Sequence, residues 1–398
     1  LRLITEKNPL PFITGTICAH NCMTKCMRNY YDEPVNIRAT KLVAAEKGYD
    51  AYMSKITPPA PVTDGRKVAV IGGGPTGMSA AYFVGRAGIP VTLFEKADRL
   101  GGIVRQVIPA FRISDEAIDK DVALMEKMGV EVKLNTEAPS VAELKAQGYT
   151  HIFFAVGAWK AGRLDIPGNV VPVIGWLRDM KAGKDVSLGH VAVVGGGNTA
   201  MDAARAALRA GAKSSTLVYR RTKKYMPADA EELEMAIADG VEFLELVAPV
   251  EQKDGKLICE KMKLGDPDDK GRRKPVPTGE MVEIPCDTVV SAVGEKNMKP
   301  PVCGSLKRII QWFADFSGMI GKTMNYGIQL RKGDFLQLVS RQEGDMIRPG
   351  EPLQGGAGTD TVVISGDHDH RDLRNIGKKR TGLFQFRGGG LAVEQIAG

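Results

Sequence analysis

The sequence has little of what marks several specialised classes of protein. Only six of its 398 residues are cysteine, which excludes a small fold held together by disulfides. Aromatic residues are also scarce, at 6%. No apolar run reaches the roughly 18 residues that a membrane-spanning helix needs. The 54 basic and 47 acidic residues are mixed along the chain, without the basic run typical of a nucleic-acid-binding arm. We therefore expect a cytoplasmic protein with no membrane span and no nucleic-acid partner.

Glycine, by contrast, is abundant, with 46 residues, and two glycine-rich turns form part of a near-repeat. The run Val68–Gly77 recurs as Val191–Ala200. In each copy a short apolar run leads into the glycines, and an alanine-rich helical stretch and a second apolar run follow. This order is typical of a βαβ unit in a parallel sheet. The sequence thus predicts an α/β fold with two Rossmann-like dinucleotide-binding domains.

The first turn contains Gly72, Gly74 and Gly77 at the G-x-G-x-x-G spacing. Such glycines allow the sharp turn, the close approach of a pyrophosphate and the packing of helix against strand. The N-terminus of the following helix attracts phosphate through its dipole. Glu95 ends the next predicted strand, at the place where a carboxylate can accept hydrogen bonds from ribose hydroxyls. The alternative is a turn that serves packing alone.

The second turn has Ala200 where the first has its third glycine, and its second predicted strand ends in a basic run. Arg220 and Arg221 stand where the first copy has its acid. A guanidinium binds phosphate bidentately, whereas a carboxylate would repel it. The pair therefore favours the 2′-phosphate of NADPH over NADH, and the alternative is a solvated basic loop.

Taken together, these motifs resemble the small subunit of NADPH-dependent glutamate synthase and its relatives. The segments Asn8–Phe12 and Cys18–Cys22 most resemble the selenate-reductase-like iron–sulfur and flavin subunits of that family. The resemblance covers residues 8 to 297 and includes, besides the two glycine turns, the spaced cysteines and the segments Gly101–Gly102, Ile108–Arg112, Ala155–Gly157, Tyr219–Thr222, Met226–Ala228 and Ala292–Gly294.

The resemblance implies that the first turn holds FAD and the second holds NADPH. The contacts implied for FAD are Gly72, Gly74, Gly77, Glu95 and Gly102. Those implied for NADPH are Gly195, Gly197, Asn198, Thr199, Arg220 and Arg221. Pro75, Thr76, Lys96, Arg112 and Ala200 are predicted cofactor contacts that are not assigned to either nucleotide. Further cofactor contacts are implied at Gly157 and Gly294, in crossover strands expected at Ala155–Gly157 and Ala292–Gly294, and at Asp367, in an imperfect match to the end of the family's flavin domain.

The family inserts its NADPH domain into its FAD domain, and the same arrangement is expected here. We predict a partial helical, cysteine-rich iron–sulfur segment over 1–56 and a proline-rich linker over 57–65. The FAD domain is expected over 66–174 and, in divergent form, over 291–398, with the NADPH domain over 175–290.

Three cysteines near the N-terminus are candidate metal ligands. Cys18, Cys22 and Cys26 are spaced by four residues, which suits either one face of a helix or a loop wrapped around a cluster. A [4Fe-4S] cluster generally needs four ligands. The resemblance implies that such thiols serve [4Fe-4S] clusters whose other ligands lie upstream, so the site is expected to be incomplete in this sequence. Three ordinary reduced thiols and a zinc site are the alternatives.

The function implied is hydride transfer from NADPH to FAD, followed by passage of electrons through iron–sulfur clusters to a partner protein subunit or another acceptor. No catalytic residue is predicted, because the cofactors carry this chemistry and the protein supplies orientation and electrostatics. The alternatives are a glutamate synthase small chain proper and a noncatalytic dinucleotide-binding or cluster scaffold.

Overall fold

The computed structural model describes residues 1–186, 188–268, 273–296, 361–364, 383–387 and 390–394. The helices are α1 Arg2–Thr5, α2 Pro11–Ile17, α3 Asn21–Thr24, α4 Ile37–Met53, α5 Pro75–Arg86, α6 Ile103–Gln106, α7 Asp115–Glu126, α8 Val141–Ala146, α9 Val173–Lys181, α10 Asn198–Arg209 and α11 Ala230–Ala238, with 3-10 turns at Met27–Tyr30 and Lys223–Tyr225. Residues 37–53, whose alanine, lysine, glutamate and leucine side chains favour a helix, form α4.

The chain forms two compact units, and the described residues of each have a sheet of their own. The first unit comprises Leu1–Gly102, Glu116–Gly157 and the described strands after residue 299, and the second comprises Ile103–Asp115 and Ala158–Met298.

The first unit is built on a parallel sheet of five strands in the order β15-β4-β1-β2-β3. Its strands are β1 Val68–Ile71, β2 Val91–Phe94, β3 Glu131–Lys133, β4 His151–Phe154 and β15 Thr361–Ile364. The side chains of β1, β2 and β4 are buried throughout. Continuous burial explains why β1 is wholly apolar and why β2 and β4 are apolar apart from Thr92 and His151, as expected of strands covered on both faces.

The second unit repeats this plan with the parallel order β6-β13-β7-β8-β9. Its strands are β6 Val170–Pro172, β7 His190–Val194, β8 Ser214–Tyr219, β9 Glu242–Glu245 and β13 Thr288–Ser291. Helix α10 packs its alanine face into the core of this unit, where Ala200, Ala203, Ala204 and Ala207 have no exposed surface. Two parallel sheets, each with a strand–glycine turn–helix unit, confirm the predicted α/β class with two Rossmann-like domains.

The second unit also contains an antiparallel sheet, formed by the chain after β9. Strands β10 Val247–Lys253, β11 Lys256–Pro267 and β12 Arg273–Pro285 form an antiparallel sheet of three strands. The crossover strands predicted at Ala155–Gly157 and Ala292–Gly294 are wrong, because both segments are irregular. Instead, two short strands lie just beyond them, β5 Lys160–Ala161 and β14 Glu295–Lys296, which pair antiparallel.

Near the C-terminus, strands β16 Leu383–Arg387 and β17 Gly390–Glu394 form an antiparallel pair. Among the residues that the structure describes, no helix combines the length and the apolar character needed to cross a membrane.

Candidate dinucleotide-binding sites

In the first glycine turn, each glycine of the predicted motif has a different surrounding. A Cβ on Gly72, whose φ is +106°, would lie 2.5 Å from the carbonyl oxygen of Ala155, and one on Gly77 would collide with the carbonyl oxygen of Gly72. A Cβ on Gly74 would instead have only the Cα of Gly102 near it, at 3.8 Å. Gly72 and Gly77 are therefore needed for packing, and Gly74 is the position where backbone faces open space.

Gly74 also stands directly before the 12-residue helix α5, which begins at Pro75. Among the described residues, no side chain caps the N-terminus of this helix. The N–H groups of Thr76 and Gly77 can therefore bind an anion, whereas the N–H of Met78 already donates to the carbonyl of Gly74 at 2.9 Å. The arrangement fits a pyrophosphate group in the way that the spacing predicted.

Glu95 follows β2 and has only 8% of its surface exposed. One carboxylate oxygen accepts a hydrogen bond from the N–H of Gly73 at 2.6 Å, and the other accepts one from Ala97 at 2.8 Å. The carboxylate predicted to bind ribose thus also fixes the glycine turn. Its neighbour Lys96 is exposed.

Gly102 lies against the first turn and has φ +54°. A Cβ there would be 2.8 Å from the Cα of Gly74, and the N–H of Gly101 donates to the carbonyl of Gly73 at 2.8 Å. The predicted contact Gly102 therefore lies beside the open glycine, and only a residue without a side chain fits there.

In the second unit the glycine turn repeats this division of roles. A Cβ on Gly195 would collide with the carbonyl oxygen of Ala292, and one on Gly196 would lie 2.5 Å from the ring of Tyr219. Among the described residues, no atom lies within 4 Å of a Cβ on Gly197. Ala200, in place of the third glycine, is fully buried. The 12-residue helix α10 begins immediately after Gly197, and no described side chain caps it. Asn198 and Thr199 therefore offer N–H groups to an anion, while the N–H of Ala200 donates to the carbonyl of Gly197 at 2.9 Å.

Asn198 has a structural role that its sequence position did not reveal. Its side-chain oxygen accepts a hydrogen bond from the N–H of Asp229 at 3.1 Å, and its amide nitrogen donates to the carboxylate of Asp229 at 3.3 Å. Asp229 directly precedes α11. These reciprocal bonds fix the start of α10 to the start of α11.

Arg220 and Arg221 follow β8, the neighbour of β7 in the parallel sheet. Because the carboxyl ends of parallel strands meet at one edge, this pair lies at the same edge as the glycine turn that follows β7. Arg220 is exposed and Arg221 is partly buried, and the described residues provide no hydrogen-bond partner for the buried Nε atom of Arg221. The guanidinium groups therefore have hydrogen-bond donors to offer to a phosphate.

Arg112, predicted to contact a cofactor, meets two acids of the second unit. Its guanidinium lies 3.5 Å from Asp202 on α10 and is also paired with Glu232 on α11. Arg205 pairs with Glu232 at 3.8 Å and with Asp239 at 2.8 Å. Burial raises the pKa of Asp202 to about 6, although Arg112 and Arg205 both act to lower it.

Sequence reasoning missed Asp202, Arg205 and Glu232. A sequence signal exists for two of them, because Asp202 and Arg205 are charged residues among the alanines of a helix whose face is otherwise apolar.

For two of the remaining predicted contacts, Gly157 and Gly294, the structure gives the backbone conformation. Their φ angles are +73° and +108°, and no described atom lies within 4 Å of a Cβ on Gly294. Asp367 lies outside the described residues.

The three N-terminal cysteines do not share one helix. Cys18 follows the end of α2, Cys22 lies in α3 and Cys26 precedes the 3-10 turn at Met27, which excludes the single helical face. Backbone N–H groups of Val35 and Arg28 lower the pKa of the Cys26 thiol. Among the described residues, no three His, Cys, Asp or Glu side chains come together as a metal site, so the thiols as placed do not fit a cluster.

Comparisons with known proteins agree with the two glycine turns. A family model described as pyridine nucleotide-disulphide oxidoreductase matches residues 66–302. The YgfK protein of Escherichia coli strain K12 is 45% identical over 303 residues, which are 74% of this chain and 29% of that protein. The NADPH-Fe(3+) oxidoreductase subunit beta of Geobacter sulfurreducens is 36% identical over 316 residues, which are 74% of this chain and 47% of that protein.

The glutamate synthase (NADPH) small chain of Halomonas elongata is 33% identical over 316 residues, covering 72% of this chain and 66% of that protein. This relative confirms the resemblance stated from the motifs. The chain spans between 29% and 66% of the length of these relatives. With more than half of its residues matched by the family model, the chain belongs to the pyridine nucleotide-disulphide oxidoreductase family.

Proposed function

We propose that this chain binds FAD at its first glycine turn and NADPH at its second, and acts as an NADPH-dependent flavin oxidoreductase that passes electrons to a partner protein. One observation carries the proposal. Among the described residues, Gly74 and Gly197 face open space, and each precedes a helix of 12 residues that no side chain caps. Two such places in one chain support two bound dinucleotides.

Different residues of the first unit are proposed to bind the pyrophosphate and the ribose of FAD. Gly74, Pro75 and Thr76 present backbone to the FAD pyrophosphate, with Gly102 keeping that space clear of side chains. Glu95, with both oxygens already holding the turn, keeps lone pairs for ribose hydroxyls. Lys96, Gly157, Gly294 and Asp367 stay predictions as cofactor contacts. Arg112 is not among the groups that we propose to touch FAD, because its guanidinium is taken up by Asp202 and Glu232.

In the second unit, Gly197, Asn198 and Thr199 present backbone to the NADPH pyrophosphate, and Arg220 and Arg221 bind the 2′-phosphate. The chemistry that the bound pair supplies is the movement of a hydride from nicotinamide to flavin, after which electrons can leave singly. The protein's own residues bind and orient, and none is assigned to move a proton.

The partner protein and the direction of electron flow are supported by the names of relatives, which include an NADPH-Fe(3+) oxidoreductase subunit and a glutamate synthase small chain. The [4Fe-4S] cluster predicted at Cys18, Cys22 and Cys26 stays a prediction that rests on the family resemblance. Iron and acid-labile sulfide measured after anaerobic reconstitution test it, against a variant with Cys22→Ser. Equal iron content in the two proteins contradicts cluster ligation by these thiols.

The proposal is tested by reversing the charge of the arginine pair. We expect the FAD-loaded chain to be reduced by NADPH under anaerobic conditions and poorly by NADH. In the variant with Arg220→Glu and Arg221→Glu, the loss of two charge-assisted bonds of about 1.5 kcal/mol each lowers the affinity for NADPH by roughly 100-fold. NADH, which has no 2′-phosphate, should be affected much less.

The matched control is Arg163→Glu, which reverses an exposed guanidinium of the same unit that pairs with Asp165. It should leave the preference for NADPH unchanged. The same preference in the double variant as in the wild type contradicts the assignment of the 2′-phosphate site, and a preparation that binds no flavin contradicts the oxidoreductase function.

A further inference from the structure

The second unit contains a cluster of buried charges that the proposed chemistry does not use. Arg112, Asp202 and Glu232 expose 12%, 9% and 5% of their side chains. Arg112 comes from the segment 103–115, Asp202 from α10 and Glu232 from α11, so three separate stretches of chain meet at one guanidinium. Buried charges persist only where they are paired, since each is costly to remove from water.

The two acids lie close to the starts of their helices. Asp202 is one helical turn after Asn198, and Glu232 is the third residue of α11. Asn198 and Asp229 already join the starts of the same two helices by reciprocal hydrogen bonds. The helix starts are thus joined twice, once through amide and carboxylate near the surface and once through Arg112 in the interior.

The segment that carries Arg112 is held to the unit by further contacts. The Phe111 ring lies 4.9 Å from the guanidinium carbon of Arg205 and 4.6 Å from that of Arg209. The Lys181 amine donates to the carbonyl of Ile108 at 2.6 Å. Cation–π contacts of this kind strengthen the attachment of the segment. The position of the Arg112 guanidinium is therefore set both by its two acids and by the contacts of Phe111 and Ile108.

We propose that Arg112 is a positioning residue for the NADPH site, which holds the first turns of α10 and α11 in place by neutralising Asp202 and Glu232 between them. This inference rests on the proposed binding of NADPH at Gly197. Without the Arg112 guanidinium, Asp202 and Glu232 lose a cation that they share, and Arg205, which acts on both acids, offsets only part of their charge. The uncompensated buried charge moves the start of α10, and with it the N–H groups that bind the pyrophosphate.

The test is calorimetric titration of the chain with NADP+. For Arg112→Gln we expect binding weaker by on the order of tenfold or more, as a displacement of about 1 Å in a binding group can produce. The preference for NADP+ over NAD+ is expected to stay as in the wild type, because Arg220 and Arg221 are untouched. Arg112→Lys, which keeps the charge, should restore part of the affinity, and Arg163→Gln should behave as the wild type.

Calorimetry separates a positioning role from a general loss of folding. A variant that is only less stable contains fewer folded chains, so the titration gives fewer sites per chain with unchanged affinity. A displaced helix start changes the affinity itself. If Arg112→Gln does not fold, Glu232→Gln provides the second measurement, since it removes one anchor at constant volume and should weaken binding several-fold.

Wild-type affinity in the folded variants at Arg112 and Glu232 overturns the inference. A wild-type chain that does not bind NADP+ overturns the proposed function instead, so the two failures are distinguishable.

Discussion

Two glycines of the second turn are predicted to respond in opposite ways to one added methyl group. A Cβ on Gly197 has no atom within 4 Å, whereas one on Gly195 would collide with the carbonyl oxygen of Ala292. We therefore expect Gly195→Ala to lower the free energy of unfolding. Gly197→Ala should leave that free energy nearly unchanged and weaken the binding of NADP+.

The magnitudes follow from the backbone at each position. Gly197 precedes α10 with φ −97° and ψ 172°, an extended conformation that alanine adopts without strain. At the position before a helix, alanine stabilises the helix less than glycine does. Alanine also reduces the conformational freedom of the unfolded chain, which favours folding. The two effects on the free energy of unfolding cancel to within about 0.5 kcal/mol. At Gly195 the obstacle is backbone at the end of a neighbouring strand, so relief requires that β13 shift, at a cost of about 1–3 kcal/mol.

Urea unfolding and calorimetric titration with NADP+ measure the two effects separately. Gly197→Ala should unfold with the wild type and bind at least about tenfold more weakly, because the methyl group holds the pyrophosphate away from the helix start. Gly195→Ala should unfold at a lower urea concentration. Wild-type affinity in Gly197→Ala would refute the idea that the coenzyme approaches the backbone at this glycine.

Two further predictions concern carboxylates of the first unit. Glu95→Gln should lower the FAD content and cost about 1–3 kcal/mol of stability, because an amide nitrogen cannot accept the hydrogen bond from Gly73 or Ala97 that the carboxylate accepts. Flavin absorbance per chain measures the effect, the same change at the exposed Glu137 of this unit, Glu137→Gln, is the control, and unchanged flavin content in Glu95→Gln contradicts the prediction. Asp121 on α7 accepts hydrogen bonds from two buried N–H groups of α2, and burial raises its pKa from 3.8 to about 7. Because the folded chain holds this proton more tightly, the contribution of Asp121 to stability is lost as pH rises from 3.8 to about 7. Subtracting the unfolding free energies of Asp121→Asn from those of the wild type should reveal that loss, and a difference that stays constant with pH would show that the carboxyl titrates normally.

Local patterns in the sequence determined the architecture of the two units. The apolar runs at 68–71 and 191–194, the glycines after them and the alanine-rich helices are features of adjacent residues, and the structure has them where they were expected. The helix at 37–53 was likewise readable from composition. The crossover strands were misplaced because a strand of two residues, such as β5, exists through its partner β14 and has little pattern of its own.

Tertiary structure decided how the polar residues around the turns are used. Glu95 reaches back 22 residues to Gly73, and Asn198 reaches 31 residues ahead to Asp229. Arg112 finds its partners on two later helices. A sequence shows which residues carry charge and hydrogen-bonding groups, whereas the partner of each buried group is set by which distant segments the fold brings within about 3 Å of it.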